Sequence, residues 1–152
     1  MDIIDKDFHH FLAYWFSGLM KGLEELDDSS RDKVLHECGI ACSQSYTARI
    51  FQEVKEHNRD LDSMLKELAH RFPGSTYTRI DVNTIKVTYA KCGCDLVRLG
   101  LVKSSTLCQC SAFSLQSNFQ QVLGIPVTVT VKSSILNGAK QCILIVTLKD
   151  NC

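Results

Sequence analysis

The sequence carries no excess charge of either sign, no basic block and no tract of low complexity. Lysine plus arginine and aspartate plus glutamate each number 17. Without a basic cluster to neutralise a row of phosphates, nucleic acid is not an expected partner. The apolar stretch Phe11 to Met20 is too short for a membrane span and runs on into Lys21 and Glu24, so no span is expected. The opening Met1 to Asp7 is acidic where a secretory signal is basic, and no small-residue cleavage site follows. Proline occurs only at Pro73 and Pro126. With no interdomain linker or repeat, the 152 residues suit a single domain, 1–152, large enough to bury a core without help from a metal.

Cysteine is abundant: there are eight. In a secreted chain this would suggest a disulfide framework. The absence of a signal-like start points instead to a reducing cytoplasm, where clustered thiols bind metal or do redox chemistry. Half of the cysteines fall in one stretch, Cys92-Gly93-Cys94, thirteen residues, then Cys108-Gln109-Cys110. Two close thiol pairs on either side of a short connection can converge on one ion, and Zn²⁺ accepts four sulfurs tetrahedrally. Cys92, Cys94, Cys108 and Cys110 are therefore the candidate metal ligands. Gly93 suits a tight knuckle with positive φ.

The first half, residues 1–74, has helical periodicity. Phe8, Leu12, Trp15, Leu19, Leu23 and Leu26, widened by Phe11 and Phe16, predict a well-buried amphipathic helix. Its aromatics, including Tyr14, suit a core, a ligand pocket or a dimer interface, and the core is the commoner use. Asp28, Ser29 and Ser30 are N-cap candidates for a second helix carrying Val34, Leu35, Cys38 and Cys42. Cys38 and Cys42 are four apart, one turn on the same face. They are candidates for additional metal ligation or a redox pair, and equally for small buried hydrophobes. Tyr46 to Glu56 and Asp60 to Phe72 predict further helices, closed by Pro73-Gly74. The histidines His9, His10, His36, His57 and His70 are dispersed, and none is assigned a catalytic role.

In residues 75–152 the period changes to two. Ile85, Val87 and Tyr89 predict a strand leading into Cys92, with Thr76 to Asp81 as hairpin partner. Leu96, Val97, Leu99, Leu101 and Val102 imply a packed connection between the thiol pairs, with Lys91, Arg98 and Lys103 as nearby cations and Asp95 as a turn or capping residue. Ser111 is a plausible N-cap for a helix from Ala112 to Leu123, with Gly124 as its stop. That would seat the second thiol pair at a helix N-terminus, where the dipole favours thiolate. Val127, Val129 and Val131 predict a strand with one buried face, Asn137-Gly138 a turn, and Cys142 to Leu148 a central strand with Cys142 in the core. Terminal Cys152 carries no assigned role. The expected class is α+β, with N-terminal helices packed on a C-terminal antiparallel sheet and one further helix after the second cysteine pair.

The pattern Cys-Gly-Cys, Cys-x-Cys-Ser, Gly-x-Pro-Val and Gly-x-x-x-Cys over roughly residues 84–148 resembles small bacterial proteins described as metal-binding. These are themselves similar to 4-vinyl-reductase-like hydrocarbon-binding domains and L-2-amino-thiazoline-4-carboxylate hydrolase-like proteins. Cys92, Cys94, Cys108, Cys110, Gly138 and Cys142 carry the match, with Cys38-Gly39-x-x-Cys42 in the helical half. Leu144 stands where an aromatic residue is expected. The resemblance implies an α+β fold, a raised expectation of metal, and a small apolar ligand.

Three functions remain open. A closed four-thiolate zinc site leaves no place for substrate water and implies structural or sensory use, with the helical half offering a ligand pocket or a homodimer surface. Three thiolates and a water would suit a metal-dependent hydrolase of a small amide or thiazoline-like substrate. The same six cysteines would also serve thiol redox chemistry or an iron–sulfur cluster.

Overall fold

The computed structural model describes residues 6–149. The acidic opening at Met1 to Asp5 and the terminal Cys152 lie outside the described residues. The chain is α+β. Helices α1 (Lys6–Glu25), α2 (Asp28–Cys42), α3 (Ala48–His57) and α4 (Leu61–Arg71) precede strands β1 (Ser75–Asp81) and β2 (Thr84–Tyr89). A short α5 (Asp95–Arg98) and the long α6 (Cys108–Leu123) follow, and then β3 (Val127–Ser133) and β4 (Cys142–Leu148).

The four strands form one sheet in the order β1-β2-β4-β3, and every pairing is antiparallel. β4 is central, as its apolar run requires. Its register sets Leu144 against Val87 and Val131, and Val146 against Ile85 and Val129. Those alternate residues form one buried face with Leu115, Phe119 and Val122 of α6, Phe51 and Val54 of α3, and Met64, Leu65 and Leu68 of α4. Gly124 ends α6 with φ 67°, its amide bonded to the Gln120 carbonyl at 2.9 Å.

A second, smaller core lies beside the first. Met20 and Leu23 of α1 and Leu35 of α2 pack there with Leu101, Val102 and Leu107 from the connection between the cysteine pairs. Two polar contacts tie α1 to that connection: His9 Nε2 meets the Leu99 carbonyl at 2.6 Å, and Ser104 Oγ donates to the Glu24 carboxylate at 2.6 Å.

Three local expectations are corrected. α1 is not well buried: Met20 and Leu23 are its buried side chains, while Phe8, Phe11, Tyr14 and Trp15 are exposed. Its apolar residues are spread too far round the helix for one neighbour to cover them all. Helix α2 is capped by Asp27, whose side chain accepts from the Ser30 amide at 3.2 Å, one residue before the predicted caps. A π turn at Ser43–Thr47 joins α2 to α3 in one rod. Helix α6 begins at Cys108, not after Ser111. The preceding turn Ser105–Leu107 is already 3₁₀, and Ser104 Oγ accepts from the Thr106 amide at 3.3 Å.

A cysteine-lined cavity between two cores

Where the two cores meet they leave a cavity of about 420 Å³. Phe16, Leu19, Met20 and Leu23 of α1 wall one side, and Phe51, Leu115, Val131 and Leu144 of the sheet core wall the other. All seven described cysteines line it: Cys38, Cys42, Cys92, Cys94, Cys108, Cys110 and Cys142. None is in a disulfide.

The placement of these cysteines starts at Gly39. A Cβ there would stand 2.7 Å from Phe113 Cβ, 2.8 Å from the Cys110 carbonyl oxygen and 2.9 Å from the Ser114 amide. Only glycine lets α2 lie against the start of α6 this closely. The contact brings Cys38 and Cys42, one turn apart on α2, beside Cys110. The π turn follows directly. It buries Ser43, whose hydroxyl donates to Asn118 Oδ1 on α6 at 2.6 Å, while Asn118 Nδ2 donates to Thr47 Oγ1 at 3.1 Å. This pair of bonds locks the rod to α6 a turn beyond the thiols.

The cysteines form two overlapping neighbourhoods, with Cys94 common to both. Cys110 interacts electrostatically with Cys42, Cys38 and Cys94, and Cys94 with Cys42 as well as Cys92. On the other side Cys92 interacts with Cys142 and Cys108, and Cys108 with Cys142 and Cys94. Helix geometry accounts for the split of the second pair. Once Cys108 and Cys110 lie in a helix they are two residues apart and point about 200° away from one another. Cys108 Sγ instead meets Ser134 Oγ at 3.0 Å, and Cys142 Sγ accepts from the Ile135 amide at 3.4 Å. Among the described residues, no group of three or more His, Cys, Asp or Glu side chains stands ready-placed around a metal position.

Burial also overrides the helix dipole. It pushes the thiol of Cys110 up to about 12, with the sulfurs of Cys42, Cys38 and Cys94 adding to the effect. Cys92, Cys94 and Cys108 are raised chiefly by burial as well, partly opposed at Cys94 by the amides of Val97 and Leu96 and at Cys108 by Ser134. These four shifts all favour the thiol over the thiolate, the reverse of what was expected from the helix end. Gly93 does not have the positive φ that a tight knuckle would use; that conformation falls at Gly74, Gly100, Gly124 and Gly138.

The remaining candidates fall as follows. Asp95 opens α5, pairs with Arg98 at 3.5 Å and is the one carboxylate among the lining residues. No histidine lines the cavity among the described residues. His36 instead stacks edge-on against Phe113, ring centres 5.1 Å apart, and His57 Nδ1 meets the Glu53 carbonyl at 2.7 Å. Tyr77 and Tyr89 also line the cavity; burial raises Tyr77 to about 12 and Tyr89 well above its usual value, and their hydroxyls hydrogen-bond to one another. Cys142, expected only in the core, is a lining residue too. Its register opposite Tyr89 was the available signal, and that depends on strand pairing.

No protein-family profile matches the sequence, and no curated protein matches it. Solved structures do share the fold. A trafficking protein particle complex subunit 3 from Naegleria fowleri, covalently bound to palmitic acid, aligns with TM-score 0.57 at 15% identity, covering 96% of this chain and 98% of its own. A point mutant of an H-NOX domain from Shewanella oneidensis, in the Fe(II)CO ligation state, aligns with TM-score 0.52 at 15% identity, covering 99% of this chain and 78% of its own. At these identities the likeness is one of fold: a small α+β domain.

Proposed function

We propose that the protein is a non-catalytic binding domain that encloses a small, largely apolar molecule between its two cores. The observation that carries this reading is the cavity. Its volume of about 420 Å³ lies within the range of about 300–1,000 Å³ typical of ligand sites. Its walls are largely apolar, leucine, phenylalanine and cysteine prominent among them, which offers an apolar guest contact area. Leu144 enlarges the space where the resembling proteins are expected to carry an aromatic ring. A neighbour in fold holds palmitic acid covalently, which makes a saturated acyl chain the natural first probe. A reducing, cytoplasmic setting suits seven unpaired thiols.

The test is equilibrium unfolding in the presence of saturated fatty acids of increasing length. A ligand at a hundredfold excess over its Kd stabilises by about 2.7 kcal/mol. Leu144→Trp, which fills the cavity from its floor, should abolish the gain while leaving a folded chain. Unchanged stability with every chain length sinks the reading.

The neighbourhood of Cys38, Cys42, Cys94 and Cys110 favours a second reading, in which the same cavity wall holds Zn²⁺. Cys38 and Cys42 are exposed on α2, so a change of rotamer would draw their sulfurs toward Cys94 and Cys110. One zinc per chain, lost in Cys38→Ser or Cys42→Ser but kept in Cys92→Ser, would support this set over the four cysteines of the two Cys-x-Cys pairs. Full metal retention in Cys94→Ala would rule out both sets. A coloured, iron-containing protein would give the quartet to an iron–sulfur cluster instead. A hydrolase would need a base beside the metal, and Asp95, the lining carboxylate, is already paired with Arg98.

A further inference from the structure

The outer face of α1 is the largest apolar feature the binding reading does not use. Phe8, Phe11, Tyr14, Trp15 and Leu19 are 46%, 56%, 69%, 54% and 38% exposed. Four aromatics on one solvent-facing helix are costly to leave in water, since each offers about 150–250 Å² of surface. The open part comes to roughly 500 Å² per copy on that scale. Two such faces approach the area of about 1,000 Å² at which specific association begins.

The same face carries two glycines. Phe8, Phe11, Trp15, Gly18 and Gly22 follow at alternating intervals of three and four, the spacing of a helix–helix seam. A Cβ at Gly18 or Gly22 would meet nothing within 4 Å. Nothing in the single chain therefore calls for glycine there, although each costs about 1 kcal/mol against alanine in a helix interior. Laid antiparallel on a second copy about a two-fold axis, α1 sets Phe11 opposite Gly22 and Trp15 opposite Gly18, because both pairs sum to the same register. Each large ring then meets a gap in the facing helix. A lipid surface fits less well, since a helix lying on a membrane carries a lysine- and arginine-rich polar face. α1 has Lys6 and Lys21 set against Asp7, Glu24 and Glu25.

We propose that the exposed aromatic face of α1 is a homodimer interface, in which two α1 helices cross antiparallel with the rings of Phe11 and Trp15 seated over Gly22 and Gly18 of the second copy. The pairing would also brace the cavity wall, since Leu19 lies at the edge of both.

The test is sedimentation equilibrium or light scattering of the full chain under reductant, which removes intermolecular disulfides as a cause. The expected species has twice the 17.1 kDa of one chain. Trp15→Ser should weaken association at least about thirtyfold, the effect of losing an aromatic hot spot. Gly18→Leu and Gly22→Leu decide the matter. They add apolar surface and helix propensity in open space, so nonspecific stickiness would tighten association, whereas seated rings require it to weaken. Circular dichroism confirms that each variant remains folded. A wild-type chain that is monomeric at about 100 μM overturns the proposal, as does tighter or unchanged association in both glycine variants. Monomers that partition through α1 onto vesicles of phosphatidylcholine and phosphatidylglycerol overturn it in favour of a membrane.

Discussion

The two cores are built from different amounts of structure. The sheet core joins four strands to α3, α4 and α6 and surrounds Phe119 and Val146, which are fully buried. The smaller core gathers Met20, Leu23, Leu35, Leu101, Val102 and Leu107 from two helices and an irregular connection. The first is held by ladder hydrogen bonds as well as packing. The second depends on side chains and a few contacts such as His9 with Leu99. A cavity persists between them because each core satisfies its own residues without needing the other. Stability therefore belongs chiefly to the sheet, and ligand access to the smaller core.

Truncation should expose this difference most strongly. Phe119→Ala removes a ring stacked edge-on with Phe51, centres 5.3 Å apart, and is expected to cost about 3–5 kcal/mol in urea unfolding. Leu101→Ala in the smaller core is expected to cost about 2 kcal/mol, at the low end for such truncations. Equal losses would mean that the two regions form one cooperative unit of uniform strength. Hydrogen exchange sharpens the point: α1 and residues 95–107 should exchange through openings smaller than global unfolding.

Gly39→Ala acts on the joint between α2 and α6. The added methyl is 2.7 Å from Phe113 Cβ and 2.8 Å from a backbone oxygen, so the helices must part, at a cost of about 1–3 kcal/mol. The same variant should raise the alkylation rate of Cys110 in the native state. Unchanged stability and thiol reactivity would show that the approach at Gly39 does not position the cysteines.

Asn118→Ala leaves Ser43 without its buried acceptor and Thr47 without its donor, and about 1–2 kcal/mol is expected in thermal or urea unfolding. The π turn should then relax toward ordinary α-helix, visible as altered exchange at Ser43–Thr47.

A pH dependence follows from the buried tyrosines. Unfolded tyrosine ionises near 10.0, whereas burial raises Tyr77 to about 12 and Tyr89 well above its usual value. Above pH 10 the unfolded chain therefore binds fewer protons than the folded one, and stability falls as pH rises toward 12. Tyr77 alone should lose about 1.4 kcal/mol by pH 11, and that share should disappear in Tyr77→Phe.

Much of the fold is legible from periodicity. Ile85, Val87 and Tyr89 alternate because one sheet face is buried, and the apolar run from Cys142 marks the central strand. Leu96 to Val102 could be read as packed because too many apolar residues stand there for a free loop. The aromatic stripe of α1 was misread because periodicity shows which residues share a face but not whether anything covers it. The start of α6 was misread because Ser111 is a good cap in isolation. The 3₁₀ turn at Ser105–Leu107 had already begun the helix, and winding Cys108 and Cys110 into it turned their sulfurs apart.

The sequence alone determined the class of the fold, the order of its elements and the concentration of cysteine, since these follow from local periodicity and composition. Tertiary structure alone decided which thiols are neighbours. Cys110 lies near Cys38 and Cys42 through a glycine contact some seventy residues away in the chain, and Cys92 and Cys108 lie near Cys142 at the start of the inner strand β4. Burial likewise pushes the thiols of Cys92, Cys94, Cys108 and Cys110 up, because desolvation outweighs a helix dipole and depends on packing that no local pattern contains.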